Sequence, residues 1–275
     1  MLSNARKVRF DIRRTGCAGA AARAADALGG ALRRTLPQVC ALCAAASGNA
    51  MLCDACALQM PAIVDACPQC ALPSPANLVC GACLARPRPY AATIAAWRYA
   101  FPADQLLQAF KYGGRLALAE PLAKALCGAV HARAMPLPDR LIAMPLSQRR
   151  QRERGFNHAH EIARRVSSAT GVRLEHAFRR TRDAPPQAGL TLQERARNVR
   201  DAFEATGSLA GSWVAIVDDV MTTGATLAAA AIAARAAGAV RVDAWVVART
   251  PPDRNQMSGV GDQIERRQRL IKTDT

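Results

Sequence analysis

Apolar and polar positions follow two distinct periodicities in the part of the chain after residue 88. Short, continuous apolar runs indicate buried strands, whereas apolar residues spaced three and four positions apart indicate helices. Four segments have the first pattern: TIAAWRY, RLIAMP, WVAIVDD and VRVDAWVVAR. Helical patterns separate them, and strands that are apolar on both faces are typical of parallel sheets covered by helices. The pattern therefore predicts an α/β fold, with a mainly parallel sheet flanked by helices.

The helices between these strands have recognisable boundaries. One is predicted to start at Pro102 and to end at Gly113, and the next, LALAEPLAKALCGAVHARA, contains Pro121 as a candidate break. A third, GFNHAHEIARRVSSATG, has its apolar residues near one face and stops at Gly171. The fourth is the small-residue segment TLAAAAIAARAAGA. Ligands of such sheets bind beyond the carboxyl ends of the strands, so the segments that follow the strands are candidates for function.

Charge and hydropathy limit the classes of partner. The chain of 275 residues has a formal net charge of +16, which favours polyanions such as nucleic acid or a substrate with several phosphates. The alternative is compositional, because arginine and alanine are both common in proteins of GC-rich genomes. No apolar run reaches the roughly 18 residues of a membrane span, and the basic N-terminus lacks the apolar core of a secretory signal. We therefore expect a soluble, cytoplasmic protein without membrane insertion.

Eight of the ten cysteines form four C-x-x-C pairs between residues 40 and 83. A reducing compartment disfavours disulfides, and two C-x-x-C turns together supply the four thiolates of a tetrahedral zinc site. Two structural Zn2+ ions are therefore predicted, with a redox dithiol or an iron–sulfur cluster as alternatives. The predicted ligands are Cys40, Cys43, Cys53, Cys56, Cys67, Cys70, Cys80 and Cys83.

The pairing of the C-x-x-C turns is open at this point. Interleaved pairing is geometrically feasible, but sequential pairing closes shorter loops and is preferred. Because the segment has few large apolar residues, the metal is expected to supply folding energy that a core of about 50 residues cannot. Four thiolates leave no open coordination position, which predicts structural and not catalytic zinc. Cys17 and Cys127 follow no ligand spacing.

The strand WVAIVDD leads into the segment with the clearest chemistry. It ends on Asp218 and Asp219, and the loop Thr222-Thr223-Gly224-Ala225-Thr226 follows before a helix. Backbone N–H groups, hydroxyls and a helix N-terminus attract an anion, and glycine allows its close approach. The carboxylates suit hydroxyls or Mg2+ instead. A ribose 5-phosphate has a phosphate for the loop and hydroxyls for the carboxylates, so it fits both parts of the segment. The alternatives are an ordinary strand–loop–helix unit or the acidic pair of a receiver domain.

The stretch VAIVDDVMTTGAT resembles the signature with which type I phosphoribosyltransferases bind phosphoribosyl pyrophosphate (PRPP). The cysteine array, FKYGGRLALAEPLA, MPLSQRRQRERGFNHAHEIAR, RRTRDAPPQAGLTLQERARNVRDAF and the Asp-Asp motif resemble, in that order, the ComF family. These are competence-associated, phosphoribosyltransferase-like proteins with a double zinc ribbon, and the resemblance runs from about residue 36 to 251. It implies a type I phosphoribosyltransferase fold preceded by a small double zinc ribbon. The implied regions are a basic N-terminal extension at 1–36, the double zinc ribbon at 37–88, the phosphoribosyltransferase-like domain at 89–252 and a disordered tail at 253–275.

The resemblance also implies roles for individual residues. Asp218 and Asp219 would hold the ribose hydroxyls and help to place Mg2+, while Thr222, Thr223, Gly224, Ala225 and Thr226 would hold the 5-phosphate. The segment that starts at Pro145 corresponds to the pyrophosphate loop, where guanidinium groups meet phosphate oxygens bidentately. Its arginines are Arg149, Arg150, Arg152 and Arg154. A flexible hood follows, in which the candidates to close over pyrophosphate are Arg180, Arg182 and Arg195.

Each of these functional roles has a less specific alternative. The arginines of the predicted pyrophosphate loop also fit a solvated basic helix face or a nucleic-acid patch, and those of the hood also fit a solvated basic surface. Lys111, at a helix end before Gly113 and Gly114, is a candidate for the base pocket. The four histidines form no ligand spacing or triad, which predicts surface or packing roles.

Two functions follow from the resemblance. The first is PRPP- and Mg2+-dependent transfer of a phosphoribosyl group to an unknown acceptor, with release of pyrophosphate. The second is a non-catalytic role in DNA uptake, in which the basic loops contact single-stranded DNA or a competence helicase. Few aromatic residues lie within the basic segments, which weighs slightly against stacking on single-stranded DNA.

Overall fold

The computed structural model describes residues 38–180 and 202–251, with the backbone alone for Gln148 and Arg149. The predictions for the N-terminal extension, the tail and the hood residues Arg182 and Arg195 lie outside these residues. Within the described part of the chain, no helix is both long enough and apolar enough to cross a membrane.

The cysteine-rich segment contains only short elements. They are β1 (Gln38–Val39), β2 (Ala46–Gly48), α1 (Asp54–Leu58) and α2 (Gly81–Ala85). This segment lies along the outer edge of the neighbouring sheet, where Ala62 forms an antiparallel bridge with Trp97 and the Arg98 N–H donates to the Pro61 carbonyl at 2.8 Å. The contact covers backbone groups that an edge strand would otherwise expose.

A five-stranded sheet forms the centre of the molecule. Its strands are β3 (Ala92–Arg98), β4 (Arg140–Ala143), β5 (Arg173–Glu175), β8 (Trp213–Met221) and β9 (Arg241–Arg249). They lie in the order β3-β9-β8-β4-β5, and each neighbouring pair is parallel. Their carboxyl ends therefore share one edge of the sheet, as ligand sites of this fold class require. The mainly parallel sheet predicted from the apolar runs is confirmed.

Helices cover both faces of this sheet. One face carries α3 (Ala103–Tyr112), α4 (Ala119–Ala132) and α6 (His158–Thr170), and the other carries α7 (Ala225–Ala236). Because successive strand residues point to opposite faces, Ala215 and Val217 pack with the first group of helices and Val214 and Ile216 pack with α7. Both faces of β8 are thus buried, which explains why its sequence is continuously apolar.

Pro121 does not divide its helix. A short 3-10 turn at Leu116–Leu118 precedes α4, so Pro121 lies in the first helical turn. Backbone N–H groups in the first turn have no acceptor within the helix. Proline, which lacks an N–H group, therefore loses no hydrogen bond at this position. The other predicted limits agree with the structure, because α3 lies between Pro102 and Gly113 and α6 ends at Gly171.

A small hairpin stands beside the sheet. Its strands β6 (Phe178–Arg180) and β7 (Phe203–Ala205) are antiparallel, with Arg180 opposite Phe203. The Arg180 guanidinium lies 5.5 Å from the centre of the Phe203 ring, and Arg179 forms a 2.8 Å ion pair with Glu204. The two strands flank the predicted hood, so Arg180 belongs to the base of that segment.

Candidate functional site

The eight cysteines of the C-x-x-C pairs form two separate tetrads. The first tetrad is Cys40, Cys43, Cys53 and Cys56, and the second tetrad is Cys67, Cys70, Cys80 and Cys83. Sequential pairing, the preferred alternative, is therefore confirmed. Within each tetrad all sulfur atoms lie within 4.8 Å of one another.

The sulfur spacing identifies the kind of site. One Sγ–Sγ distance in each tetrad is 3.7 Å, between Cys43 and Cys53 and between Cys70 and Cys80. Zinc–sulfur bonds of about 2.3 Å at tetrahedral angles place the sulfurs about 3.8 Å apart, whereas a disulfide requires about 2 Å. All of these cysteines are free thiols. The tetrads therefore fit two closed, structural zinc sites.

Backbone N–H groups prepare the second tetrad for metal. Burial raises the pKa of the Cys67 thiol, but hydrogen bonds from the backbone around Cys80, Cys70 and Gln69 outweigh burial and lower that pKa to about 7. One of these contacts is the Cys80 N–H, which donates to Cys67 Sγ at 3.4 Å. Because zinc binds the thiolate form, these N–H groups favour the metal-bound state.

The two acids lie where β8 reaches the carboxyl edge of the sheet. Asp219 is 8% exposed, and its Oδ1 lies 2.9 Å from the Nζ of Lys111. Asp218 accepts a hydrogen bond from the Asp219 N–H at 2.8 Å. Burial and, after it, the neighbouring Asp219 charge raise the pKa of the Asp218 carboxyl to about 7. Two crowded carboxyls with one lysine form a site that favours an additional cation or hydroxyl donors.

The loop after the acids has the geometry of an anion site. Gly224 has a φ of +80°, and α7 begins at the next residue, Ala225. A Cβ atom at Gly224 would lie 2.8 Å from the Tyr90 hydroxyl, so only glycine fits there. Thr222, Thr223, Ala225 and Thr226 are all exposed, and the first N–H groups of the helix have no helical acceptor. We call residues Thr222 to Thr226 the anion loop.

The predicted pyrophosphate loop is largely helical. After β4 and Pro145, residues Gln148–Arg154 form α5, whose first turn is capped by Ser147 Oγ accepting from the Arg150 N–H at 3.2 Å. Gly155 ends this helix in the left-handed conformation, with φ +76°. A serine cap and a terminal glycine are ordinary helix signals, so the local sequence accounts for this helix.

The arginines of α5 differ in what they face. The charge of Arg150, whose side chain is exposed, lowers the pKa of the Asp218 carboxyl by less than burial and Asp219 raise it. The Arg154 guanidinium lies 5.2 Å from the centre of the exposed Tyr112 ring. Arg152 is exposed. The Arg149 side chain lies outside the described atoms.

The surroundings of four residues near the site became clear only from the structure. Lys111, a candidate for the base pocket, forms an ion pair with Asp219, and its role in a base pocket stays a prediction. Tyr90 and Arg249 lie against the anion loop although they are distant from it along the chain. His158 is 1% exposed and packs its ring 4.9 Å from Phe110, so it has the packing role expected of the histidines.

Comparison with known proteins agrees with this architecture. A family model of the double zinc ribbon domain matches residues 31–84, and one of the phosphoribosyl transferase domain matches residues 152–264. DNA utilization protein YhgH of Escherichia coli is 36% identical over 224 residues, which cover 78% of this chain and 99% of that protein. Competence protein F of Haemophilus influenzae is 30% identical over 178 residues, 62% of this chain and 78% of that protein.

A solved purine phosphoribosyltransferase from Pyrococcus horikoshii aligns with a TM-score of 0.30 at 19% identity, over 47% of this chain and 71% of that chain. The parallel sheet, the anion loop and the cysteine tetrads define a type I phosphoribosyltransferase fold preceded by a double zinc ribbon. With relatives of this identity and coverage, the chain belongs to the ComF family.

Metal analysis of purified protein tests the two tetrads. We expect two equivalents of zinc per chain, and a chelator should lower the free energy of unfolding because the segment lacks a large apolar core. Zinc content well below two equivalents, or iron in its place, would contradict this assignment.

Asp218 should make stability depend on pH. The folded protein binds the Asp218 proton more tightly than the unfolded chain does, so wild-type stability falls as pH rises from about 4 to about 7 and is constant above that range. Asp218→Asn should leave the free energy of unfolding unchanged at about pH 4 and raise it at about pH 8. Denaturant unfolding at both pH values measures the difference; an equal effect at both would show that Asp218 does not titrate near neutrality.

Proposed function

We propose that this chain binds PRPP with Mg2+ at the carboxyl end of β8 and transfers its phosphoribosyl group to an acceptor, with release of pyrophosphate. The observation that supports this most is the adjacency of an acid pair and an anion loop on one strand–helix unit. Asp218 and Asp219 lie close to the carboxyl end of β8, which ends at Met221; the anion loop follows directly, and α7 begins within it at Ala225. Acids alone repel phosphate, so the pair of features calls for a ligand with hydroxyls beside a phosphate.

The anion loop would hold the 5-phosphate of the ligand. Its threonine hydroxyls and the first N–H groups of α7, which lack acceptors within the helix, supply hydrogen-bond donors; in this structure the Ala225 N–H donates to Thr223 Oγ1 at 3.3 Å. The positive end of the helix adds a favourable field. Gly224 supplies the φ of +80° that the loop adopts, and Met221 and Tyr90 fill the space where a Cβ would lie. Ala225 has no large side chain to obstruct the phosphate.

The acids would hold the ribose hydroxyls and Mg2+. Carboxylate oxygens are the ligands that Mg2+ prefers, and the Nζ of Lys111 at 2.9 Å from Asp219 shows that this position already accepts a cation. Bound Mg2+ would neutralise charge on the pyrophosphate as it leaves. The protein raises the pKa of Asp218, and the charges of Lys111 and Arg150 oppose this rise; bound Mg2+ would favour the ionised carboxylate further.

The arginines of α5 and of the hood would face the leaving pyrophosphate. Arg150 supports this role because its charge reaches Asp218. The ribose carbon loses pyrophosphate as the acceptor nitrogen attacks, so the protein's task is to orient two bound molecules and to stabilise the departing charge. No covalent enzyme intermediate is required.

A second function draws on one specific observation. Tyr112 is 74% exposed and stacks with Arg154, which offers a flat surface beside the basic helix α5. Aromatic and guanidinium planes of this kind accept bases of single-stranded DNA. The names of the relatives, which refer to DNA utilization and to competence, also favour a role in DNA binding. Tyr112→Ala should weaken oligonucleotide binding if the surface is used in this way.

Calorimetric titration with PRPP and Mg2+ tests the proposed function. Asp218→Asn with Asp219→Asn should abolish detectable binding, because the hydroxyls and metal lose their carboxylates. Asp104→Asn, in the first turn of α3, is the matched control and should bind as wild type. No binding by wild-type protein, or equal binding by the double variant, would reject the proposal.

Gly224→Ala tests the anion loop separately. The added Cβ would meet the Tyr90 hydroxyl at 2.8 Å, and φ +80° strains any other residue. We expect PRPP affinity to fall by about ten-fold or more, since a strain of a few kcal/mol displaces the loop. The control is Gly207→Ala, where a Cβ meets no atom within 4 Å. Equal PRPP affinities of the two variants would show that the anion loop does not take part in PRPP binding.

A further inference from the structure

Arg249 joins the second tetrad to the anion loop. It is the last residue of β9 and is 5% exposed. Its Nε donates to the Cys70 carbonyl at 2.8 Å, and its Nη1 donates to the Met221 carbonyl at 3.1 Å. Nη1 also contacts the carbonyl of Thr222, the first residue of the anion loop. A single buried side chain thus spans the distance between a zinc ligand and the loop.

The Cys67–Cys70 turn is fixed to the rest of the molecule by three successive carbonyls. The Thr93 N–H donates to the Pro68 carbonyl at 2.9 Å, and Thr93 Oγ1 donates to the Gln69 carbonyl at 2.7 Å. Arg249 completes the series at Cys70. Because Thr93 of strand β3 binds two of the three carbonyls, the position of the turn is fixed, and its third carbonyl can accept the hydrogen bond from Arg249.

The charge of the metal site gives Arg249 its counter-ion. A buried guanidinium is costly unless negative charge lies near it. The Nε of Arg249 lies 2.8 Å from the carbonyl oxygen of Cys70, which is a ligand of that site. Four thiolates around one divalent ion carry net negative charge, and Arg88 lies beside Cys83 on the same site. The loaded tetrad therefore favours the buried, bridging position of Arg249.

Tyr90 supports the anion loop from a second direction. Its side chain is 1% exposed, and its hydroxyl has no hydrogen-bond partner among the described atoms. The hydroxyl faces Gly224, where an added Cβ would lie 2.8 Å away. Arg88 and Tyr90 both lie in the segment just after the second zinc ribbon. This segment therefore supplies both the positive charge beside Cys83 and the hydroxyl that faces Gly224.

The first tetrad has different surroundings, which makes it an internal control. Cys40 is buried in an apolar cluster with Leu52 and Met60, and the same cluster includes Trp97 of strand β3. This tetrad therefore contributes to the outer edge of the sheet through apolar packing. The two zinc sites have similar sulfur geometry and different neighbours.

We propose that the second zinc site positions the anion loop through Arg249, so that ligand binding at the loop depends on the metal in this tetrad and not on the metal in the first. Arg249 is a positioning residue, because it contacts backbone carbonyls and not the ligand's phosphate. The support of the loop is independent of the ligand's identity, whereas the effect on PRPP affinity rests on the proposed function.

Arg249→Met tests the bridge while both tetrads stay intact. We expect two zinc equivalents to remain and amide hydrogen exchange at the start of α7 to accelerate by about ten-fold, since the loop loses its buried donor. The reporter is the Ala228 N–H, which donates to the Gly224 carbonyl of the anion loop at 2.8 Å. Arg249→Lys keeps the charge but cannot donate to both sides, so its effect should be intermediate. Unchanged exchange in this segment, or equal acceleration throughout the sheet, would overturn the proposal.

Paired cysteine variants test the metal. Cys80→Ser removes a ligand of the second tetrad and Cys53→Ser removes its counterpart in the first, and each of these cysteines precedes a short helix. Exchange of the Ala228 amide, which is anchored on the Gly224 carbonyl, should accelerate by about ten-fold in Cys80→Ser and stay at the wild-type rate in Cys53→Ser. Equal exchange in the two variants would reject the difference between the sites.

Titration of the same variants with PRPP and Mg2+ separates this proposal from the proposed function. If wild-type protein binds PRPP, Cys80→Ser and Arg249→Met should bind about ten-fold more weakly, and Cys53→Ser should bind normally. If wild-type protein binds none, the proposed function fails, and hydrogen exchange alone decides whether the second zinc site supports the loop.

Discussion

The parallel pairing of β8 with β9 is the constraint on which the site depends. Their register extends from Trp213 opposite Arg241 to Met221 opposite Arg249, so both strands end together. The acids follow the apolar run of β8, and the chain then turns at once into α7. Because the strands are buried on both faces, polar chemistry is confined to this edge. The edge thereby collects carboxylates, a helix N-terminus and a buried guanidinium within one small region.

Zinc has two separate consequences in this chain. It replaces a hydrophobic core in a segment too poor in large apolar residues to fold alone. The second site also adds negative charge beside a buried arginine, which links a structural metal to the candidate ligand site. A metal of this kind contributes to function without touching substrate. The zinc ribbon and the transferase-like domain are therefore physically coupled through Arg249.

Local signals in the sequence were sufficient for the strands, the cysteine tetrads and the acid–loop unit, because each of these is encoded by adjacent or regularly spaced residues. Contacts between distant segments were not predictable. Lys111 reaches Asp219 from another helix, and Arg249 and Tyr90 meet the anion loop only after the sheet has formed. The helical form of α5 was expected only as an alternative, a basic helix face, because the family resemblance placed a pyrophosphate loop there; Ser147 and Gly155 are ordinary cap residues that favour the helix.

The central claim is that one ribose-phosphate site exists at the carboxyl edge of β8. Backbone NMR with ribose 5-phosphate as the ligand, with and without Mg2+, tests it most directly. The account predicts that the amide signals of Thr222 to Leu227 shift without metal, and that those of Asp218 and Asp219 shift further when Mg2+ is added. Shifts confined to α5 and the exposed Tyr112 surface, with the anion loop unaffected, would contradict it.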